Sequence, residues 1–224
     1  MLLETLDLGL EARMLHLIAG LVLGLFFGAA AQISRFCLRR AVAGEASERG
    51  SAAAVWVTGF ATAILGFTIA QRFGLVAIED HRFLSSSLPV VAILIGGLAF
   101  GAGMVLTRGC VSRLTVLSAT GNLRALTVLA VFAITAHATL KGVLAPVRTN
   151  LGSISTDIPI GSLSELPLGM PALTAAALVL AGLFGLRARA NLTHVAVGAG
   201  IGLVAVGGWM ATSVLLFDVF DPLP

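Results

Sequence analysis

The sequence predicts an all-α integral membrane protein with about six transmembrane helices, short re-entrant helices and an internal repeat. Three observations carry that reading. Hydrophobic residues make up 58% of the 224 positions and charged residues only 11%, where roughly a quarter is usual in a soluble domain. The charges are clustered, and long uncharged runs lie between the clusters. Two glycine-rich segments, each ending in Arg-x-Cys-x-x-Arg, align without a gap. This composition excludes a disordered chain and a nucleic-acid module, and it argues against a soluble enzyme.

Runs free of Asp, Glu, Lys and Arg cover residues 14–34, 50–71, 83–107, 125–140, 166–186 and 190–217. A helix crosses the hydrocarbon with about 20 apolar residues, or roughly 17–25, so these are six candidate spans. The fourth run is the shortest; it extends past Lys141, whose amine can snorkel to the interface. Pro89 and the pair Pro167 and Pro171 stand near the starts of the third and fifth runs, where a missing N–H does no harm, and Pro146 follows the fourth. Gly20, Gly24 and Gly28 in the first run, Gly97, Gly101 and Gly103 in the third, and Gly198, Gly200, Gly202, Gly207 and Gly208 in the last suggest close helix contacts.

Orientation follows from the basic residues. With the N-terminus outside, Arg35, Arg39, Arg40, Arg49, Arg108, Arg113, Arg124, Arg187 and Arg189 fall inside, and Arg13, Arg72, Arg82, Lys141 and Arg148 outside. Both termini are therefore expected on the outer side. Glu4, Asp7 and Glu11 precede the first run, so no basic n-region of a signal peptide is apparent. Residues 1–224 are expected to form a single transmembrane domain, with repeat units near 14–76 and 87–148 and C-terminal helices within 166–217.

The repeat places GLFFGAAAQISRFCLRR at 24–40 over GLAFGAGMVLTRGCVSR at 97–113, an offset of 73 throughout. Gly24, Leu25, Phe27, Gly28 and Ala29 meet Gly97, Leu98, Phe100, Gly101 and Ala102; Arg35, Cys37 and Arg40 meet Arg108, Cys110 and Arg113. Arg and Cys are scarce in this chain, so their match is more informative than that of the glycines. Many transporters are built from such repeats. After each cysteine the chain stays partly apolar over a stretch too short to span, 38–43 and 112–120, which reads as a re-entrant or interfacial element. Residues 77–84 read as another partial helix, and 150–165 as a loop or short extended piece on the outer face.

The cysteines form no CxxC motif and have no cluster of metal ligands beside them, so neither a thioredoxin-like nor a zinc reading is supported. His16, His81, His137 and His194 are scattered and read as packing or interface residues. A cysteine in a membrane helix is by default a small buried hydrophobe. Here each lies between two arginines at the end of a glycine-rich helix, in register between repeats. Arg35, Arg40, Arg108 and Arg113 would attract an anion, although each also serves as a topology signal. Short helices beginning after the thiols would aim backbone N–H groups at the same place. Gln32 can donate to an oxyanion. Asn122, in the T-G-N-L-R run, reads first as a helix cap and second as a substrate contact. Ser34 and Ser112 are further cap candidates, and His137 and Thr139 could line a cavity or, for Thr139, bond its own backbone. Asp80 and His81 are adjacent in a polar link and form no defensible dyad. No Ser-His-Asp arrangement and no G-x-x-x-x-G-K-[ST] run is present.

The stretches FGAAAQISRFCLRRA at 27–41, FGAGMVLTRGCVSRLTVLSATGNLR at 100–124 and HATLKGVLAPVR at 137–148 resemble the YeeE/YedE family of inner-membrane sulfur-compound transporters. That resemblance implies uptake of thiosulfate or a related sulfur species, with some members linked to selenium metabolism. It implies a narrow waist at which three cysteines in turn bond the terminal sulfur of the anion, Cys37 and Cys110 being the first two. Full-length members continue into a second half that carries the third cysteine. This chain ends at FDVFDPLP, about where that half would begin, which implies a truncated or split product, a second membrane subunit, or a homodimer that supplies the remainder.

The leading expectation is a permease component of the bacterial inner membrane, not an enzyme. Its substrate path runs along Cys37, Cys110, Arg35, Arg108, Arg40, Arg113, Gln32 and Asn122, with no cofactor and no metal. A cytoplasmic sulfur-carrier protein is a further expected partner. The alternatives are a membrane thiol or sulfur-relay protein and a non-transporting membrane subunit.

Overall fold

The computed structural model describes residues 12–76, 89–154 and 169–212. They form the helices α1 (Ala12–Ile33), α2 (Leu38–Ala43), α3 (Ala46–Arg72), α4 (Val90–Leu106), α5 (Val111–Ala119), α6 (Leu123–Lys141), α7 (Ala145–Ser153), α8 (Gly169–Arg187) and α9 (Leu192–Met210). Among the described residues there is no strand. Five segments are long and apolar enough to cross a membrane: Leu17–Ala43, Ala46–Arg72, Val90–Ala119, Leu123–Lys141 and Leu192–Met210. The run expected as the fifth of six spans gives a shorter apolar helix, Ala172–Arg187. The chain is thus an all-helical, multi-pass membrane protein.

Two long helices stop in the same way. Arg35 takes φ 51° and Arg108 φ 58°. A residue in this left-handed region turns the chain off the helix axis, a place normally left to glycine. At Arg35 the turn is closed by Phe36 N–H donating to the Ala31 carbonyl at 3.0 Å and Arg35 N–H to that of Gln32 at 3.4 Å. At Arg108 the N–H donates to the Val105 carbonyl at 3.2 Å. Extended backbone at Cys37 and Cys110 then opens α2 and α5, with each cysteine at the N-cap. The short helices expected after the thiols are therefore present. Arg189, at φ 47°, ends α8 in the same manner.

α9 lies along α3, the most extensive helix contact in the chain, and α8 packs on α3 as well. Gly59, Gly198 and Gly202 allow that contact. A Cβ on Gly59 would come within 2.9 Å of the Gly198 carbonyl oxygen, and one on Gly198 within 2.9 Å of that of Val55. A Cβ on Gly202 would collide with Thr62 and the Gly59 carbonyl. With the backbones this close, Thr62 Oγ1 donates across the interface to the Ala199 carbonyl at 3.0 Å. α9 also reaches α1 and α5: Ile201 packs with Ala31 and Val116, and Phe27, Ala30 and Phe36 gather around them.

The glycine expectation holds only in part. Gly20, Gly24 and Gly28 on α1, Gly97, Gly101 and Gly103 on α4, and Gly200 and Gly208 on α9 have open space where a Cβ would stand. Composition marks a helix as able to pack closely but does not say which of its faces has a neighbour. Two loop expectations also shift. Residues 150–153, read as loop, finish α7, which Pro146 helps to start. Residues 77–84, Asp80 and His81, and 155–165 lie outside the described residues.

The contrast between glycine faces is testable. Gly202→Val is expected to destabilise the protein by about 1–3 kcal/mol through overpacking, whereas Gly24→Ala and Gly101→Ala should stay within about 0.5 kcal/mol of the parent. Thermal unfolding of the three variants in one detergent decides it, and equal shifts would contradict the described packing.

Candidate functional site

The helix reversals bring the two cysteines together. Cys37 and Cys110 are each 4% exposed, both thiols are free, and Cys110 Sγ lies 3.6 Å from Cys37 Sγ. That is a thiol contact, longer by about 1.5 Å than a disulfide. The backbone N–H groups of Arg39 and Arg40 approach the Cys37 sulfur, and those of Leu38 and Arg113 the Cys110 sulfur. These amides belong to first helical turns, where no carbonyl of the same helix is available to accept them. The result is a small buried point lined by two sulfurs and the first-turn amides that face them.

Phe36, next to Cys37, sets the height of this point. Its ring stacks on Trp56 of α3 with centroids 6.1 Å apart, and Trp56 stacks in turn on Phe60 at 6.0 Å. A Cβ on Gly59 would lie 3.5 Å from the Phe36 ring. Gly59 is the middle residue of α3 (Ala46–Arg72). The thiol turn therefore sits about 20 Å along α3 from its start, at 1.5 Å per residue.

The arginines divide. Arg35 and Arg108 are exposed, and what they contribute to the fold is the left-handed turn. Arg113 Nη1 donates to Gln32 Oε1 at 3.3 Å, joining α5 to α1 beside the thiols. Arg40, expected on the substrate path, is held elsewhere: Nε and Nη2 lie 3.2 and 3.1 Å from Glu48 Oε2, and Nη1 donates to the Arg35 carbonyl at 3.3 Å. Arg49 closes the same α2–α3 turn by donating to the Gly44 carbonyl through Nε and Nη2.

Asn122 is exposed, and its Oδ1 accepts from Ala125 N at 3.1 Å as the N-cap of α6, the first of its two expected roles. Ser34 caps no helix; its hydroxyl donates back to the Ala30 carbonyl at 2.7 Å. Cys110, not Ser112, is the N-cap of α5. Thr139 donates to the Thr135 carbonyl of its own helix at 2.8 Å, and His137 is exposed. Among the described residues no group of three His, Cys, Asp or Glu could hold a metal ion.

A family model described as sulphur transport matches residues 33–213, a range that takes in both thiol turns and α9. The chain belongs to that family, YeeE/YedE. Members of the sulphur-transport family are transporters and not catalytic enzymes. No curated protein matches the chain, and no solved structure does.

Sequence reasoning missed several residues around the thiols of this sulphur-transport protein. The Phe36–Trp56–Phe60 stack holds the first thiol turn against α3, and no spacing rule points to it. Arg39 Nε is buried and has no hydrogen-bond partner, yet Arg39 looked like one more topology charge. A signal was available: Arg39 stands two residues after Cys37, inside the short helix.

Thiol proximity leads to a direct expectation. Mild oxidation of the detergent-solubilised protein should bridge Cys37 and Cys110 within one chain, since an approach of about 1.5 Å completes the bond. Maleimide labelling after denaturation should then find neither thiol free, and reductant should restore both. Persistent labelling of both sulfurs after oxidation would contradict the 3.6 Å contact.

Proposed function

We propose that the chain is a permease component that moves thiosulfate, or a related sulfur-containing anion, inward through a thiol-lined constriction at Cys37 and Cys110. The observation that carries this reading is the contact of two buried thiols, 3.6 Å apart, level with the middle of α3. A terminal sulfur is large, polarisable and a weak acceptor. Thiols are matched to it, being weak donors that lose little on desolvation. The oxyanion end is served by the first-turn amides of α2 and α5, which cost no reorganisation because the fold already aims them.

In this reading α1–α2 and α4–α5 are re-entrant pairs of an internal repeat, within units 14–76 and 87–148. α8 is the sixth span, and both termini face the periplasm. Arg108 and Arg113, with Arg35 and Arg39, supply the positive potential that draws an anion toward a confined path. Gln32, tethered to Arg113, presents its amide to the same space. Arg40 and Asn122 act through architecture, the first by pairing with Glu48 and the second by capping α6. The burial of both sulfurs weighs against the sulfur-relay alternative, which needs a thiol that a cytoplasmic acceptor can reach.

Initial uptake of labelled thiosulfate, in cells lacking other carriers and normalised to protein in the membrane, tests the reading. Cys37→Ala and Cys110→Ala should each lower uptake about tenfold, the scale of one lost hydrogen bond to an anion. Arg108→Gln and Arg113→Gln should reduce uptake at equal abundance, with partial rescue by Lys. Arg187→Gln and Arg189→Gln should act mainly on insertion or abundance. Unchanged transport in a chain lacking both thiols would overturn the proposal, and equal small losses at all four arginines would remove them from the path.

A further inference from the structure

Cys37 and Cys110 are the only cysteines in the chain. Both are free and 4% exposed, with the sulfurs 3.6 Å apart. No third thiol competes for either one, so a bond within one chain can join only this pair. The backbone permits that bond. Each cysteine stands at an N-cap, in extended conformation, between two helices. A small turn about the Cα–Cβ bonds, with no change in any helix, covers the roughly 1.5 Å between contact and a disulfide. The two turns are already drawn together, because Arg113 of α5 donates to Gln32 of α1 at 3.3 Å. The first turn is fixed by the Phe36–Trp56 stack. α4, which leads into the second, holds no buried residue, so the second turn is the one with room to close the gap.

We infer that the thiol pair is a redox-sensitive gate: oxidation to a Cys37–Cys110 disulfide closes the anion path, and reduction reopens it. The inference rests on the transport reading above and adds the regulation of the same point. One bond makes two changes. The reduced pair offers two S–H donors, whereas a disulfide offers none and its sulfurs are only weak acceptors. An anionic terminal sulfur then meets lone pairs where it had met protons. The bond also pins α1–α2 to α4–α5 at the constriction. Burial selects the oxidant. A protein thiol or a large disulfide has no approach to sulfurs so well covered, but hydrogen peroxide, small and uncharged, can follow the route of the anion. One thiol sulfur attacks the peroxide: an S–O bond forms, the O–O bond breaks and water leaves. The second sulfur attacks the resulting sulfenic acid: the S–S bond forms, the S–O bond breaks and a second water carries off the last thiol proton. Reduction consumes two equivalents of a small thiol, which returns two protons to the cysteines and leaves as its own disulfide. A path that joins an oxidising compartment to a reducing one brings both reagents to the pair.

The test uses the full chain reconstituted in phosphatidylcholine vesicles, with initial uptake of labelled thiosulfate and the mass of the intact chain read from the same samples. Hydrogen peroxide should lower uptake by about tenfold or more, the scale of lost donors to an anion. The loss should run in step with a mass decrease of two hydrogen atoms, and 2-mercaptoethanol should restore both. The smaller uptake left in Cys37→Ala or Cys110→Ala should resist peroxide, since neither variant can form the bond. The main arm needs no substitution, so a variant that fails to fold does not decide the matter. A disulfide that forms while uptake is unchanged would overturn the inference. So would a loss accompanied by added oxygen in place of a bond, a bond between two chains, or an equal fractional loss in either single-thiol variant. Absence of uptake from the reduced chain would be the failure of the transport reading and would take the gate with it, whereas equal uptake in both redox states would be the failure of the gate alone.

Discussion

Contact between two sulfurs 73 residues apart is possible only if two helices stop short, well inside the bundle. Everything around the site serves that constraint. Arg35 and Arg108 accept a left-handed backbone, a conformation that disfavours residues with a Cβ by of order 1 kcal/mol or more. Each then releases the chain into a cysteine N-cap and a short helix. Ending a helix in the hydrocarbon exposes carbonyls and amides that lipid cannot satisfy. The turn at Arg35 closes its carbonyls by reverse bonds, and burial of Ala31, Ser34 and Cys37 keeps the site covered. What stands beside the two thiols is a set of first-turn N–H groups that face the sulfurs.

The rest of the fold holds this arrangement from one side. α3 provides a continuous rod, and Trp56 fixes Phe36 to its midpoint. α9 closes on α3 through paired glycines and reaches α1 and α5 with Ile201. The first thiol turn is therefore braced by aromatic stacking and close backbone contact, while the second is braced mainly by α5 and the Arg113–Gln32 bond. Family membership gives this geometry its context: a sulfur-handling membrane protein in which the thiols are the only two in the chain.

Much of the fold was legible because hydrocarbon is a severe solvent. Charge-free runs of the right length outline the long helices, and proline and glycine place their ends within a few residues. The thiol pair was legible because Arg and Cys are rare against an apolar background, so their register stood out. Other features were not, for physical reasons. Arg40 and Arg113 occupy matched positions, but Glu48 follows only in the first unit, so one arginine is drawn into an ion pair and the other stays beside Gln32. Glycine stripes on α1 and α4 look like those of α9, yet only a neighbour decides whether a small residue is packed. The aromatic stack joins residues on separate elements, and no local period reports such a contact.

The central claim is that Cys37 and Cys110 form one dithiol point on the path of the anion. Titration with a trivalent arsenical, which binds paired thiols far more tightly than single ones, tests it most directly when repeated with and without thiosulfate. One arsenical bound per chain, lost in either single Cys→Ser variant and weakened by thiosulfate, is the result the account predicts. Binding that survives either substitution, or that thiosulfate leaves unchanged, would contradict it.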